Sequence, residues 1–365
     1  MNSTGRLLLS GIGAMVLLVG LACAGGGLLS TPTPVPTPIP PTAVPPTATA
    51  TVVAPVISGG PFEIDPTLYV HKTGAFSLFP PLGWSADEGE SDVLFLSPDN
   101  VGAIYAAVTN TGYQLDADAF SNFVDATETN FFGYRDQYQV VDTATGDGGK
   151  NIVVQKTFLF NGVPQEVITL YRQVEGAIYS FDFWVDEDKF DAYSDAYLAI
   201  AASIQFNPAA ASALSKYSFI YTFTGPDDLF TIEVPSAWIY SQSAADAAAT
   251  IDTFIAPDGK AFIENVAVDD GTTRDPALAR DAALAIINQR YSNGANDIVV
   301  SEEVPQDDGS IRLTWTSDGS GFYGQTFYEV RNGTTLLLFT VSFDSTLSDV
   351  YLDVVNYTVS TYTTP

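Results

Sequence analysis

The sequence predicts an α+β protein built from two tandem domains of one fold, each with a central antiparallel sheet flanked by helices. Two observations lead to this prediction. Matching motifs recur in order in both halves of the 365-residue chain, and the same succession of strand-like and helix-like segments is found twice. Hydrophobic residues form 46% of the chain and aromatic residues 12%, enough to fill two cores and to exclude a wholly disordered chain.

The internal repeat rests on four pairs of matching segments. Residues 76–84 align without gaps with residues 230–238, where Phe, a hydroxyl residue, an aliphatic residue, Pro and Trp recur 154 positions later. The other pairs follow in the same order, at separations of 159, 159 and 154: 95–100 with 254–259, 138–141 with 297–300, and 195–198 with 349–352. Such ordered pairs with little drift indicate a duplication, with a period far longer than that of a solenoid or propeller.

Each half begins with short strands joined by a tight turn. The predicted strands are 75–79, 93–96 and 103–108 in the first half and 229–234, 253–255 and 261–268 in the second. Between the second and third strands stand Pro98-Asp99-Asn100 and Pro257-Asp258-Gly259. These tripeptides favour turns because proline restricts φ, while Asn and Gly accept a positive φ.

A helix, longer strands and a terminal helix complete each half. Apolar residues on one stripe, from Phe120 to Phe131, predict a helix over about 116–132. Its counterpart starts at Asp275-Pro276, an N-cap residue followed by proline in the first turn. Three strands are predicted next in the first half, at 152–160, 165–173 and 177–185. The terminal helices are predicted at 192–204 and 347–358.

The first residues of the chain predict an export signal. Arg6 precedes the uncharged apolar run 7–21, and Ala22-Cys23 follows, which is the pattern of an export signal. With Cys directly after Ala22, the segment resembles a bacterial lipoprotein signal, and this resemblance implies lipidation of Cys23. Gly20 stands where that family favours Leu. The alternative is an uncleaved N-terminal anchor, since 7–30 reaches the roughly 20 residues of a membrane span. Both interpretations place the remaining chain on the extracytoplasmic face of the cell membrane, because Arg6 marks the inside flank.

A Pro/Thr-rich stretch separates this segment from the repeats. Residues 31–55 contain nine prolines and seven threonines, which cannot form a core and favour an extended, disordered stalk. The predicted organisation is a signal or anchor (1–23), a linker (24–61), a first repeat (62–207), a short linker (208–216) and a second repeat (217–365).

Charge and composition exclude several functions. The chain has 14 Lys+Arg against 43 Asp+Glu, a formal charge of −29, so it repels nucleic acid. One cysteine excludes an intramolecular disulfide framework and a cysteine-cluster metal site, and one histidine, His71, excludes a histidine-rich metal centre.

The order of motifs resembles a known family. The segment Phe-Ser-Leu-x-x-Pro-x-Gly-Trp at 76–84, the Pro-Asp turn, the helix, the three strands and the terminal helix are similar to the PsbP-like family. That family is named for an extrinsic protein of photosystem II and includes many exported bacterial proteins. The resemblance covers both halves and implies an α/β/α sandwich with helices on both faces of the sheet. It implies little about chemistry, because the fold supports binding modules and assembly factors alike.

The search for catalytic motifs identifies none. His71 lies in a strand-like stretch and is expected to be a structural or surface residue, since no Gly-x-Ser-x-Gly turn accompanies it. The sequence contains no phosphate-binding loop, no dinucleotide fingerprint and no His-Glu-x-x-His motif. We therefore predict no catalytic residue, no cofactor and no metal ligand.

Acidic and aromatic clusters are the remaining candidates. Acidic residues gather at 88–92, 186–188, 269–270 and 307–308, where carboxylates could hold calcium, but none has EF-hand spacing and solvated turns are favoured. Trp84 and Trp238 are equivalent in the repeat and are expected in the core. The alternative for them, and for the other two tryptophans, Trp184 and Trp315, is a carbohydrate platform. Aromatic residues near turns could contact a partner: Tyr113, Tyr134 and Tyr323.

These observations predict a membrane-tethered extracytoplasmic binding or assembly protein of unknown ligand that is not catalytic. The membrane and an envelope protein are its expected partners, and nucleic acid is excluded. The alternative is a cell-envelope hydrolase that uses acidic residues.

Overall fold

The structure is a computed structural model that describes residues 53–55, 60–225, 230–246, 248–294 and 296–363. These residues belong to one unit, Thr51–Pro365. The predicted signal or anchor, Cys23 and most of the Pro/Thr-rich linker lie outside the described residues. Within the described ranges, no helix is both long enough and apolar enough to cross a membrane.

The first repeat contains ten strands and two long helices among the described residues. In chain order they are β1 (Tyr69–Val70), β2 (Phe76–Leu78), β3 (Ser85–Glu88), β4 (Asp92–Leu96), β5 (Gly102–Asn110), α1 (Ala117–Phe132), β6 (Gln139–Gly146), β7 (Asn151–Phe160), β8 (Val163–Val174), β9 (Ala177–Asp186), α2 (Phe190–Ser203) and β10 (Gln205–Phe206).

A short helix, α3 (Pro208–Ala211), leads to the second repeat, which repeats the same series. Its elements are β11 (Ile220–Thr224), β12 (Thr231–Pro235), β13 (Ile239–Asp246), β14 (Ala249–Ile255), β15 (Ala261–Val268), α4 (Pro276–Tyr291), β16 (Ile298–Pro305), β17 (Ile311–Ser317), β18 (Phe322–Arg331), β19 (Thr335–Asp344) and α5 (Ser348–Thr361).

Each repeat is built on a seven-stranded antiparallel sheet, and the two sheets have the same strand order. The first runs β3-β4-β5-β9-β8-β7-β6 and the second β13-β14-β15-β19-β18-β17-β16. This confirms the predicted α+β class with two tandem domains. The domain boundaries remain predictions.

Helices cover both faces of each sheet. Phe181 and Phe183 of β9 pack with Tyr197 of α2, whereas Ile178 packs with Phe120 of α1. Side chains alternate between the faces of a strand, so odd and even positions of β9 serve opposite layers. The second sheet is arranged in the same way, with α5 on one face and α4 on the other. The layers are therefore helix, sheet, helix.

The predicted helix starts are confirmed by their caps. Asp116 Oδ1 accepts a hydrogen bond from the Ala119 backbone N–H at 2.8 Å, and Asp275 Oδ1 accepts one from Leu278 at 2.9 Å. An N-cap carboxylate satisfies a backbone donor that the first helical turn leaves unpaired. The α1 and α4 helices therefore begin at equivalent points of the two repeats.

Three sequence predictions need correction. The pairing of 195–198 with 349–352 is wrong by four residues, because α2 begins at Phe190 and α5, of equal length, begins at Ser348. Three strands were expected between the two long helices of the first repeat, but the structure has four, because β6 is an edge strand. Its residues are all exposed, so it lacks the apolar alternation that marks a half-buried strand. The gapless pairing of 138–141 with 297–300 is wrong by one residue. Val140 lies opposite Lys156 and Val300 lies opposite Trp315, and a bulge follows each valine. Because Lys156 and Trp315 occupy the same position in the two sheets, Val140 corresponds to Val300.

The repeats contact each other through α1. Asn130 Nδ2 donates to the backbone oxygens of Ser236 (2.6 Å) and Trp238 (3.2 Å) in the second repeat. Asn122 Nδ2 donates to the Pro257 oxygen at 3.0 Å. The first helix therefore lies between its own sheet and the second repeat.

Candidate binding cavity in the first repeat

A cavity of about 180 Å³ lies between α1 and the sheet of the first repeat. Helix α1 contributes Thr127 and Phe131, and the central strands contribute Tyr105 of β5 and Asp182 of β9. Ser236 of the second repeat closes one side. The cavity is thus formed mainly by one repeat and completed by the other.

A buried polar network lies beside the cavity, which two of its members, Tyr171 and Asp182, help to line. Lys156 is fully buried, and its Nζ donates to Glu128 Oε1 at 2.5 Å and to Thr169 Oγ1 at 2.8 Å. Thr169 extends this series of hydrogen bonds, because its hydroxyl donates to Asp182 Oδ1 at 2.6 Å. Tyr171 also donates to Glu128, at 2.7 Å. One ammonium therefore lies between two buried carboxyl groups.

Burial changes the acidity of this network. It raises the pKa of Asp182, an effect that the Lys156 ammonium opposes. Burial also lowers the pKa of Lys156, and the charges of Asp182 and Glu128 oppose that shift. Desolvation disfavours the charged form of each group, and the nearby opposite charge restores it in part. The buried network is therefore stable only while Lys156 and the two carboxyl groups remain paired.

Three of the residues that line the cavity carry a buried side-chain atom without a hydrogen-bond partner in the described part of the chain: Thr127 Oγ1, Arg135 Nε and Trp184 Nε1. The Trp184 indole lies close enough to Asp182 to oppose the rise of its pKa, but Nε1 does not reach ordinary hydrogen-bond geometry. Buried polar atoms in proteins are nearly always paired. Three unpaired ones beside a single cavity make this cavity the candidate ligand site.

Arg135 is held by aromatic rings. Its guanidinium carbon lies 5.0 Å from the Phe158 ring centre and 5.2 Å from that of Trp184, and three more rings surround it within 5.8 Å: Phe132, Tyr134 and Phe160. The six other described arginines each have a carboxylate oxygen within 4.0 Å. No such carboxylate is found for Arg135 among the residues that the structure describes. Its charge is balanced only by ring faces.

His71 is a buried structural residue. Its ring stacks on Phe76 with centroids 4.8 Å apart. Nδ1 lies 2.7 Å from Thr73 Oγ1, and Nε2 lies 3.1 Å from the Asp92 carbonyl oxygen. Both ring nitrogens are thus engaged in holding the local chain.

The acidic clusters lie in separate turns and caps. Glu88 accepts the Lys72 backbone N–H at 2.6 Å, which lowers the pKa of Glu88. Asp308 accepts from both the backbone and the hydroxyl of Ser310. Asp186 lies 3.7 Å from the Lys189 ammonium. In the described ranges, no group of three or more His, Cys, Asp and Glu side chains is arranged to hold a metal ion.

The tryptophans divide between core and cavity. Trp238 and Trp315 are fully buried, and Trp84 packs on Phe62 with centroids 5.1 Å apart. Trp184 alone of the four lines the cavity, so the core interpretation does not extend to it.

The tyrosines expected at an exposed surface are not all exposed. Tyr134 is 72% exposed, beside Arg135. Tyr113 instead hydrogen-bonds Asp258 of the second repeat, and Tyr323 packs on Phe343 with centroids 5.3 Å apart. Tyr113 and Tyr323 are thus only partly exposed, and a contact of any of the three tyrosines with a partner remains a prediction.

Sequence reasoning missed the residues of the buried polar network and of the cage: Glu128, Arg135, Lys156 and Asp182. Two signals were present. Lys156 occupies an inward position in the alternation that includes Val154 and Phe158, and Glu128 continues the apolar stripe of α1. A charged residue inside an apolar period is unusual and needs a buried partner.

No protein-family model matches the chain, and no curated protein matches it. Among solved structures, it is similar to the cyanobacterial PsbP protein (CyanoP) from Synechocystis sp. PCC 6803, with 13% identity, coverage of 39% of this chain and 92% of that chain, and a TM-score of 0.32. The protein of unknown function PA94 from Pseudomonas aeruginosa has 14% identity, coverage of 36% and 90%, and a TM-score of 0.27. The immunity protein TplEi of the same organism, complexed with a peptide, has 10% identity, coverage of 78% and 98%, and a TM-score of 0.23. At these values the comparisons assign neither a family nor a function.

Proposed function

We propose that this chain is a non-catalytic binding protein whose first repeat takes up a small molecule in the cavity beneath α1. The observation that carries the proposal is a cavity of about 180 Å³ whose lining residues include three with a buried, unpaired hydrogen-bonding atom. A dry cavity without a ligand would leave each of them at a cost of about 1–3 kcal/mol. Movement of these side chains onto a bound ligand would recover that energy.

The proposal includes a location on the extracytoplasmic face of the cell membrane. The predicted lipoprotein-type signal with Cys23 would tether the chain, and the Pro/Thr-rich segment would hold the repeats away from the bilayer at roughly 3 Å per residue. An envelope protein that exchanges the ligand would meet the rim of the cavity, where Phe131 is 38% exposed. Replacing Cys23 with Ser tests the tether: release of the protein from membranes supports lipidation, and retention favours a helical anchor.

Binding is tested with a thermal-shift screen of the full-length protein against neutral, anionic and cationic small molecules. The variant Ala107→Leu places extra carbons into the cavity, and Ala86→Leu adds the same group to an exposed edge strand as a matched control. We expect at least one compound to raise the Tm of the wild type and of Ala86→Leu, but not of Ala107→Leu. Failure of every compound, or a shift that survives Ala107→Leu, would contradict the proposal.

A hydrolase that uses acidic residues is the second candidate, because Asp182 lines the cavity and burial raises its pKa. Raised carboxyl pKa values are common among general acids. The bonding favours a binder, since Asp182 accepts from Thr169 and both oxygens of Glu128 accept hydrogen bonds from the protein. Hydrolysis of an envelope ester or glycoside that Asp182→Asn abolishes would establish the hydrolase instead.

A further inference from the structure

The second repeat carries larger side chains at the positions where the first repeat has its cavity. In the first sheet Ala107 of β5 pairs with Ser180 of β9, and at the same register of the second sheet Val266 pairs with Leu338. Both of these larger side chains belong to the core beneath α4. The small residues of the first repeat therefore leave room that the same fold fills with aliphatic carbons in the second.

Hydroxyl groups face this room. Thr109 and Ser180 line the cavity, and Ser236 of the second repeat lines the side that it closes. None of the three hydroxyls has a hydrogen-bond partner in the described part of the chain. Unlike Thr127 Oγ1, each keeps accessible surface and therefore opens onto the cavity. Such a hydroxyl is completed by water or by a ligand, because it can both donate and accept.

Two of these hydroxyls are neighbours on the sheet. Thr109 pairs with Ile178, and Ser180 pairs with Ala107, so Thr109 and Ser180 are diagonal neighbours on the face toward α1. Side chains at such positions are separated by roughly 7 Å or less. A single ligand hydroxyl, at about 2.8 Å from each partner, can therefore bridge them.

The charges of the lining favour a neutral ligand. Arg135 and Asp182 are the charged side chains among the lining residues, one of each sign. Lys156 and Glu128 pair with each other beside the cavity at 2.5 Å. A charged ligand would leave this buried space with one uncompensated charge, at a cost that a neutral molecule avoids.

The size and walls of the cavity define the rest of the ligand. A cavity of roughly 150 Å³ holds one benzene molecule, and this cavity measures about 180 Å³ with Phe123 and Phe131 on its helical side. A benzene ring with one hydroxyl group fits that volume. On the basis of the binding function proposed above, we infer that the cavity binds a small neutral phenol, with its ring beside α1 and its hydroxyl on Thr109 and Ser180.

The test is titration calorimetry of the full-length protein at neutral pH with four single-ring probes: phenol, toluene, benzoate and benzylamine. Phenol is uncharged under these conditions, because a phenolic hydroxyl has a pKa of about 10. We expect phenol to bind and the two ions not to bind. Toluene has the shape of phenol but leaves both cavity hydroxyls unpaired, so we expect it to bind at least about fivefold more weakly.

Two variants test the placement of the hydroxyl. Ser180→Ala removes one hydroxyl and leaves the space open, and Thr109→Val keeps the shape of the side chain and introduces the residue type of its counterpart, Val268. We expect each to weaken phenol by about fivefold, the usual net value of one hydrogen bond, without weakening toluene. Ser121→Ala is the matched control, because Ser121 lies on the exposed side of α1 and does not line the cavity.

The outcomes separate this inference from the proposed function. If toluene or either ion binds as tightly as phenol, or if either variant binds phenol as the wild type does, the phenol assignment is wrong while a binding cavity remains. If none of the four probes binds but the wider screen finds a ligand that Ala107→Leu excludes, the assignment again fails alone. If the screen also finds nothing, the hydroxyls serve only water and both proposals fail.

Discussion

The two repeats share one strand order, yet they fill the space between the sheet and its first helix in opposite ways. Lys156 pairs with Val167 across β7 and β8, and at the same register Trp315 pairs with Gly324 across β17 and β18. The first repeat thus places an ammonium beneath its helix beside an open cavity. The second places an indole there.

The indole of the second repeat fits because Gly324 has no side chain. A Cβ at this position would overlap the Trp315 ring. Trp315 Nε1 donates to Thr326 Oγ1 at 3.0 Å, and the Thr326 hydroxyl lies 2.9 Å from that of Thr340. Thr169 holds the place of Thr326 in the first repeat, where it bonds Lys156 and Asp182. The same threonine therefore connects a charged chain in one repeat and a neutral chain in the other.

The aromatic cage is also confined to the first repeat. In the second repeat, Ser342 stands at the position of Trp184 and Ser317 at that of Phe158. When α1 and α4 are aligned from their first residues, Ile287 stands at the position of Glu128. The difference teaches that duplication preserved the backbone and its pairing while the side chains of the two copies diverged. Different side chains beneath the helix are compatible with the same fold, because strand pairing depends on backbone bonds.

The largest expected effect comes from removing the ammonium of the first repeat. Lys156→Met leaves Glu128 and Asp182 buried without their cation, and we expect the free energy of unfolding to fall by about 3–5 kcal/mol. Urea unfolding followed by tryptophan fluorescence measures it.

The matched variant makes the network neutral and introduces the residues of the second repeat at two of its three positions. Lys156→Met combined with Glu128→Ile and Asp182→Thr removes every buried charge of the network, and replacing a whole buried ionic group by apolar residues is often neutral. We expect this triple variant to recover most of the lost stability. A triple variant as unstable as Lys156→Met would show that the two repeats are not interchangeable at this layer.

A smaller effect is expected in the second repeat. Gly324→Ala inserts a methyl group against the fully buried Trp315 ring, and overpacking of this kind costs about 1–3 kcal/mol. Gly146→Ala is the control, because Gly146 lies in an edge strand with no atom within 4 Å of the added carbon. Urea unfolding should separate the two variants. Equal stability would mean that the ring moves freely, against the tight fit described here.

The smallest effect is a difference in pH dependence. Burial raises the pKa of Asp182 in the fold, so the native state holds a proton that the unfolded chain releases above about pH 4. The stability contributed by this proton is complete below pH 4 and is lost as the pH rises through the folded pKa. The Asp182→Asn variant does not lose this contribution. The difference between its free energy of unfolding and that of the wild type should therefore shift in favour of the variant as the pH increases above 4.

Asp270 provides a control of opposite sign. Hydrogen bonds from Arg274 and from the Thr272 backbone lower its pKa to about 2. Its contribution is therefore present above pH 4 and is lost as the pH falls toward 2. If Asp270→Asn and Asp182→Asn deviate from the wild type in the same direction, burial does not determine the pKa of Asp182.

An element could be predicted from the sequence where its signal lies within a few neighbouring residues. The caps Asp116 and Asp275 lie within three residues of the donors that they satisfy, so the helix starts could be predicted. Strands β5, β7, β8 and β9 show apolar periods and were also found. The edge strand β6 was missed, because its exposed residues carry no period and only pairing with β7 makes it a strand.

The sequence by itself determined the duplication, the fold class and the starts of the central helices, and it predicted the export signal. Each of these depends on contiguous residues or on spacings that repeat. Only the tertiary structure decided the site. The bond between Lys156 and Glu128 joins β7 to α1, and the rings around Arg135 come from three separate segments between Phe132 and Trp184. Strand register and helix packing bring these side chains together, and neither is encoded in any single stretch of the chain.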